Sequence, residues 1–212
     1  ALCEKMRKPI LEWIIKIAVF NAAVLITYLF FAKLFGVSLD DFVLFPVTST
    51  NGREMYTQGG DLKAANGNSY LEFTAYLIST ESMWVHLTSE DTEAGANNGT
   101  KVATTDTGAR ADIVKCTRVS FTDAESNKTV IYEPGKTNGA DVAGQTTFDL
   151  PSPMKLSDST RVCYLEKMTP KKVVIRIWID GEDPECDDDV QLSNLQVRLN
   201  FRGTDENNVP VN

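Results

Sequence analysis

Histidine is almost missing from this chain: His86 is the only one in 212 residues. Its scarcity removes the catalytic sets built around an imidazole with a partner base or nucleophile. It also removes the HExxH zinc hydrolases, which need two histidines on one helix face. No CxxC pair occurs, which sets aside zinc ribbons and thioredoxin-type redox chemistry. A concentrated basic face is missing as well. With a net charge of −8 and a pI near 4.8, nucleic acid is not an expected partner, because phosphate binding needs clustered Lys and Arg. No internal repeat is visible, and the length suits one domain with an appendage.

What the chain does have begins with grease. After the polar residues 1–9, which carry Lys5, Arg7 and Lys8 against Glu4, the stretch from Ile17 to Val37 is broken only by Asn21, Thr27 and Lys33 among polar side chains. At ~1.5 Å per residue it spans roughly 31 Å as a helix, close to a bilayer's hydrocarbon thickness. Residues 10–38 are therefore predicted to form one long hydrophobic helix. Glu12 and Lys16 can pair on one face, Trp13 can anchor at the interface, and Lys33 can snorkel from the far end. The preceding positive charges place the N-terminus in the cytoplasm and the rest outside. The same helix also suits the core of a filament, as in type IV pilins, with Trp13, Phe20, Leu25 and Phe30 as packing residues. A secretory signal fits less well, since its apolar region is shorter and ends in a small-x-small cleavage site.

Beyond Asp41 the period changes to two. Residues 39–68 read as a linker or extended segment, in which "DFVLFPVTS" either extends as a strand to a neighbour's sheet, offering Phe42, Val43, Leu44 and Phe45 for assembly, or closes the domain's own sheet. Residues 69–203 read as a β-domain and 204–212 as a polar tail. "SYLEFTAYLIS" places Leu71, Phe73, Ala75 and Leu77 on one face, and "SMWVHLTS" follows as a strand after a hairpin or a bend into a second sheet. The stretches at 90–112 and 134–153 read as exposed connections. Further strands are expected at "IVKCTRVSF", "TVIYEP", "RVCYLEK", "KVVIRIWI" and "LSNLQVRLNF". Many short strands between turn residues predict a mainly β fold, an antiparallel jelly-roll-like sandwich preceded by the hydrophobic helix.

The strand ending in "RIWID" runs straight into a carboxylate cluster, "DGEDPECDDD". Three readings apply. Asp180, Asp183, Asp187 and Asp189 are the residues to supply oxygens to a calcium ion, the one cofactor the sequence admits, although the spacing is not that of an EF-hand. A catalytic acid pair would have to face itself across a substrate. The third reading is a solvated turn made by Asp180-Gly181 and stiffened by Pro184. Cys3 falls on the cytoplasmic side and leaves Cys116, Cys163 and Cys186 outside, an odd number. Cys186 can bridge to Cys116 or to Cys163, or all three can be buried thiols. His86 and Trp84 are expected toward solvent or a second sheet. Trp84 and Trp178, on the polar sides of their strands, mark either a subunit surface or a place covered by a loop.

"SYLEFTAYLISTESMWVHL", "TRVSFTD…VIYEP" and "VVIRIWIDGEDPEC" followed by "LQVRLNF" resemble, over about residues 69–202, the TasA/camelysin-like surface proteins of Gram-positive bacteria. The resemblance implies a jelly-roll domain displayed outside the cell, often in biofilm fibres, with subunits joined in some members by donor-strand complementation. It points to a non-enzymatic structural subunit that polymerises with copies of itself and is rooted in the membrane at least before assembly. Two alternatives remain open: a membrane-anchored, camelysin-like metal-dependent peptidase, and a monomeric ligand-binding surface domain.

Overall fold

Alternation of apolar and polar side chains builds sheets, and in the computed structural model it does so throughout the described residues, which are 43–60, 62–64, 69–89, 99–135, 146–150 and 156–211. The hydrophobic segment 10–38, with Trp13, Phe20, Leu25 and Phe30, lies outside them, as do Cys3 and Phe42. The strands in chain order are β1 (Val47–Thr48), β2 (Tyr56–Thr57), β3 (Tyr70–Leu77), β4 (Met83–Leu87), β5 (Lys101–Ala103), β6 (Thr117–Asp123), β7 (Thr129–Tyr132), β8 (Thr146–Phe148), β9 (Arg161–Leu165), β10 (Lys171–Ile179), β11 (Gln196–Arg198) and β12 (Phe201–Thr204). One helical turn, Ile113–Cys116, precedes β6. Among the described residues no helix is long and apolar enough to cross a membrane.

The fold is mainly β with several sheets. A five-stranded sheet has the order β3-β10-β6-β7-β8 and a three-stranded sheet the order β12-β4-β9, with β1-β2 and β11-β5 as separate pairs. Pairing is antiparallel except between β7 and β8, which run parallel. The main core draws on both large sheets: Val119, Phe121, Val173, Ile175 and Ile177 from one, Val85, Leu87, Val162, Cys163 and Leu165 from the other. The strands at "SYLEFTAYLIS" and "SMWVHLTS" are not paired to each other; the chain bends between sheets at residues 78–82.

Three expectations about boundaries are corrected. The segment "IVKCTRVSF" starts as the helical turn and becomes strand only at Thr117. "LSNLQVRLNF" is two strands rather than one, because Asn200 is held from the side: its carbonyl accepts from the Thr88 amide (2.9 Å) and the Thr100 hydroxyl (3.0 Å). That pin lets β11 pair with β5 and sends β12 to β4. The polar tail is not a loose end either. Pro210 bridges to Thr204, and the Val211 amide donates to the Gly203 carbonyl, so the chain turns back along β12.

Residues 43–64, read as a linker or extended segment, pack on the domain itself where they are described. Val47, Met55 and Ala64 are buried against Tyr70, Ile131 and Trp178, so the segment covers the outer face of the five-stranded sheet. This explains why every residue of β6 is buried: it is central in its sheet and has cover on both faces. It also explains Trp178, fully buried under a loop rather than exposed on a subunit surface. Close approach sets the sequence at Gly52, whose φ is +65° and whose absent Cβ would lie 2.9 Å from Ile131 Cδ1. The Ser120 hydroxyl donates to the Gly52 carbonyl (2.6 Å) and fastens the cover to the sheet.

Candidate functional site

The acidic loop leaves β10 at Ile179; Glu182, Pro184 and Asp187 to Asp189 are exposed, while Gly181 and Asp183 turn inward. Its partner is Arg118, second residue of β6, which is cross-strand from Trp178 and therefore on the outer face. Arg118 and Glu133 are buried nearly completely, and Asp183 with them. Arg118 Nη2 donates to Asp183 Oδ2; Nε lies 3.2 Å from Glu133 Oε1 and 3.9 Å from Asp180 Oδ2. Nη1 donates to the carbonyls of Lys115 and Thr117. One guanidinium thus faces three carboxylates. A planar fork of fixed donors is the side chain suited to this, since it serves several oxygens at once and does not deprotonate.

The carboxylates divide by environment. Burial raises the Asp180 acid above its ordinary value, with the Arg118 charge opposing. Burial also pushes at Asp183, but hydrogen bonds from Glu185 and the contact with Arg118 outweigh it and hold Asp183 below the ordinary range. The remaining acids serve turns: Asp187 Oδ1 accepts from the Asp189 amide, and Asp188 Oδ1 accepts from the Gln191 side chain, both at 2.9 Å. Of the four residues nominated for calcium, Asp180 and Asp183 are brought together on a cation, but that cation is Arg118. Among the described residues no three His, Cys, Asp or Glu side chains converge as a metal ion would need.

Under the loop lies a small apolar cluster of Ile113, Cys116, Ile179 and Val190, with Leu44, Val114, Cys186 and Leu195 against it. Cys116 and Cys186 share this cluster, and their mutual interaction raises Cys116 and lowers Cys186 relative to an ordinary cysteine. Cys163 is elsewhere, buried on β9 in the main core, where desolvation pushes its thiol up to about 12. Of the extended-segment residues nominated for assembly, Leu44 packs into this cluster, while Val43 and Phe45 are exposed at 55% and 62%. Val47 belongs to the domain's own sheet: its carbonyl accepts from the Gly181 amide at 2.8 Å.

His86, read as facing solvent or a second sheet, is not at the surface: it is fully buried on β4, its Nδ1 3.0 Å from the Thr160 hydroxyl. Desolvation, reinforced by the Arg161 charge, lowers it to about 4, so the ring is neutral at pH 7. Trp84, its strand neighbour, is half-buried beneath Arg161, whose guanidinium carbon is 4.5 Å from the ring centre.

A second feature escaped the sequence. Among the described residues β3 has a hydrogen-bonded neighbour on one side only, so its other edge is open. Phe73 is cross-strand from the buried Ile175, in the inward register, yet it is 45% exposed; Tyr76 and Ile78 are exposed at 68% and 57%. Beside this edge a groove of about 360 Å³ runs between the two large sheets, lined by Leu77, Ile78, Met83, Val85, Leu165 and Phe201 among others. Val85 and Leu165 of the core form its floor, the partly buried Leu77, Met83 and Phe201 its sides, and the exposed Tyr76 and Ile78 with the polar Ser79 and Arg202 its rim. The only signal in sequence was the continuation of apolar character past the strand end, at Ile78. Compared with protein-family models, with curated proteins and with solved structures, the chain finds no match.

Proposed function

We propose that this protein is a non-enzymatic structural subunit that polymerises with copies of itself into a cell-surface filament or extracellular matrix fibre. In this reading the five- and three-stranded sheets are the layers of a jelly-roll-like sandwich, as in the TasA/camelysin-like proteins that the sequence resembles. The hydrophobic segment 10–38 roots the subunit in the membrane or bundles along the filament axis. The observation that carries the proposal is the open edge of β3, where an inward-register aromatic stays exposed beside an apolar groove. Monomeric proteins usually blunt such edges with charge, proline or a covering loop, because unpaired backbone groups next to apolar surface recruit another strand. A strand from a second copy satisfies both needs at once. Its backbone pairs with β3 and its side chains fill the groove. The burial of the sole histidine and the use of Asp180 and Asp183 on Arg118 agree with a structural role.

Electron micrographs of the full chain, released from membrane and dialysed free of detergent, test the reading. Wild type should form fibres. A Tyr76→Lys/Ile78→Lys variant should keep the wild-type urea midpoint, since both side chains are solvent-facing, and should remain dispersed. Dispersed wild-type monomers, or unchanged fibres in the lysine variant, would reject assembly through this edge.

A further inference from the structure

About 70 residues apart in sequence, Cys116 and Cys186 are brought into one apolar cluster beneath the acidic loop. Both sit in the same apolar cluster, against Ile113, Ile179 and Val190. Cys116 is fully buried at the end of the helical turn, its Sγ 3.3 Å from the Asp112 carbonyl. Cys186 is half-buried, which leaves it accessible to a reagent from solvent. The backbone is held at both ends. The Asp180 amide donates to the Cys116 carbonyl (2.8 Å), and the Cys186 amide donates to the Asp183 carbonyl (2.9 Å). Arg118, two residues after Cys116, is bonded to Asp183, three residues before Cys186. Cys163 has no such neighbour, being in the main core.

We propose that Cys116 and Cys186 are a disulfide-forming pair, closed by exchange with an external organic disulfide, and that Cys163 stays a thiol. The Cys186 thiolate attacks one sulfur of the external disulfide RS–SR, forming a mixed disulfide and releasing RS⁻. The Cys116 thiolate then attacks the Cys186 sulfur, forming the internal S–S bond and releasing the second RS⁻. The two protons lost by the cysteines leave with the two released thiolates as RSH. Two electrons pass from the pair to the external disulfide. The bond staples the acidic loop to the start of β6, at the place where the Arg118 ion cluster already holds the same two segments. It closes a long loop in the unfolded chain, where a cross-link removes most conformational freedom.

The proposal is independent of assembly and is tested on full-length protein in detergent, purified reduced and then treated with glutathione disulfide. Peptide mapping without reductant should recover the Cys116 and Cys186 peptides linked, with a loss of two hydrogens per chain, and Cys163 alkylated only after denaturation. The thermal midpoint should rise on the order of 10 °C on oxidation and fall back with dithiothreitol. Cys186→Ser should show no difference between the two conditions. If Cys186 stays alkylatable after oxidation, links to Cys163 or Cys3, or joins two chains, the pairing is wrong.

Discussion

Replacing Arg118 with methionine keeps most of the side chain's length and removes its charge. The structure fixes what is left behind. Glu133 and Asp183 are almost fully buried, Asp180 largely so, and the carbonyls of Lys115 and Thr117 lose their donor. Breaking a buried ion pair by removing one partner costs about 3–5 kcal/mol, because the surviving charge is stranded in low dielectric. Three carboxylates depend on this one cation, so the upper end of that range is expected near pH 7. A domain with a typical ~5–15 kcal/mol of stability would be close to unfolding. The pH dependence separates this cause from simple loss of packing. In wild type Asp183 lies below its ordinary value, so its contribution is complete above the unfolded value and is lost as pH falls through the folded one. In the variant the stranded carboxylates take up protons more readily in the folded state than in the unfolded chain. Down to pH 4.5, which is still above the ordinary Asp183 value, acidification therefore relieves the variant and leaves the wild-type Asp183 contribution in place. Urea titrations followed by tryptophan fluorescence at pH 7 and pH 4.5 should show the gap between the two proteins narrowing by more than half. A loss under about 1 kcal/mol at pH 7, or a gap that does not change with pH, would refute the view that charge holds this loop.

Two further outcomes test the buried faces. His86, lowered to about 4 from an ordinary 6.5, contributes stability that is complete above about pH 6.5 and is lost as pH falls toward 4; the loss, roughly 3 kcal/mol, should disappear from the acid limb of a His86→Gln titration. Met55→Ala should cost about 2–5 kcal/mol and shift tryptophan emission to the red, because Met55 covers Trp178; an unchanged urea midpoint would mean that residues 43–64 are not part of the core.

The parts of the fold legible in sequence are those where a strand is long enough to show its period. In β10, Val173, Ile175 and Ile177 alternate against Val174 and Arg176, and the same rule found β3, β4 and β9. The missed strands, β2, β5 and β8, have two or three residues each, too few for alternation to register, and β1 was read only as part of the extended "DFVLFPVTS". They exist because a distant segment supplies the ladder, as Val197 does for Val102 and Ile131 for Thr147. The cover over Trp178 was hidden for a related reason. Met55 stands among polar residues, and Val47 ends an apolar run whose sequence does not say which surface it fills.

The candidate site was legible as composition and illegible as pairing. Seven acids in ten positions announce a cluster, but the sign and place of what answers them come from Arg118, 65 positions from Asp183 in the chain. Its clue was a strand in which both faces needed cover: in "TRVSFTD" the inward side is filled by Val119 and Phe121, so Arg118 and Ser120 look solvated. They are instead the polar residues that receive the loop and the cover, Arg118 through its guanidinium and Ser120 through its bond to Gly52. Buried polar groups persist only where partners meet them, so such a residue on a doubly covered strand marks where another segment crosses. The open edge of β3 is the converse case. There Leu71, Ala75 and Leu77 pack inward but Phe73, in the same register, stays 45% exposed, and an open sheet edge beside apolar surface is one that a further strand complements.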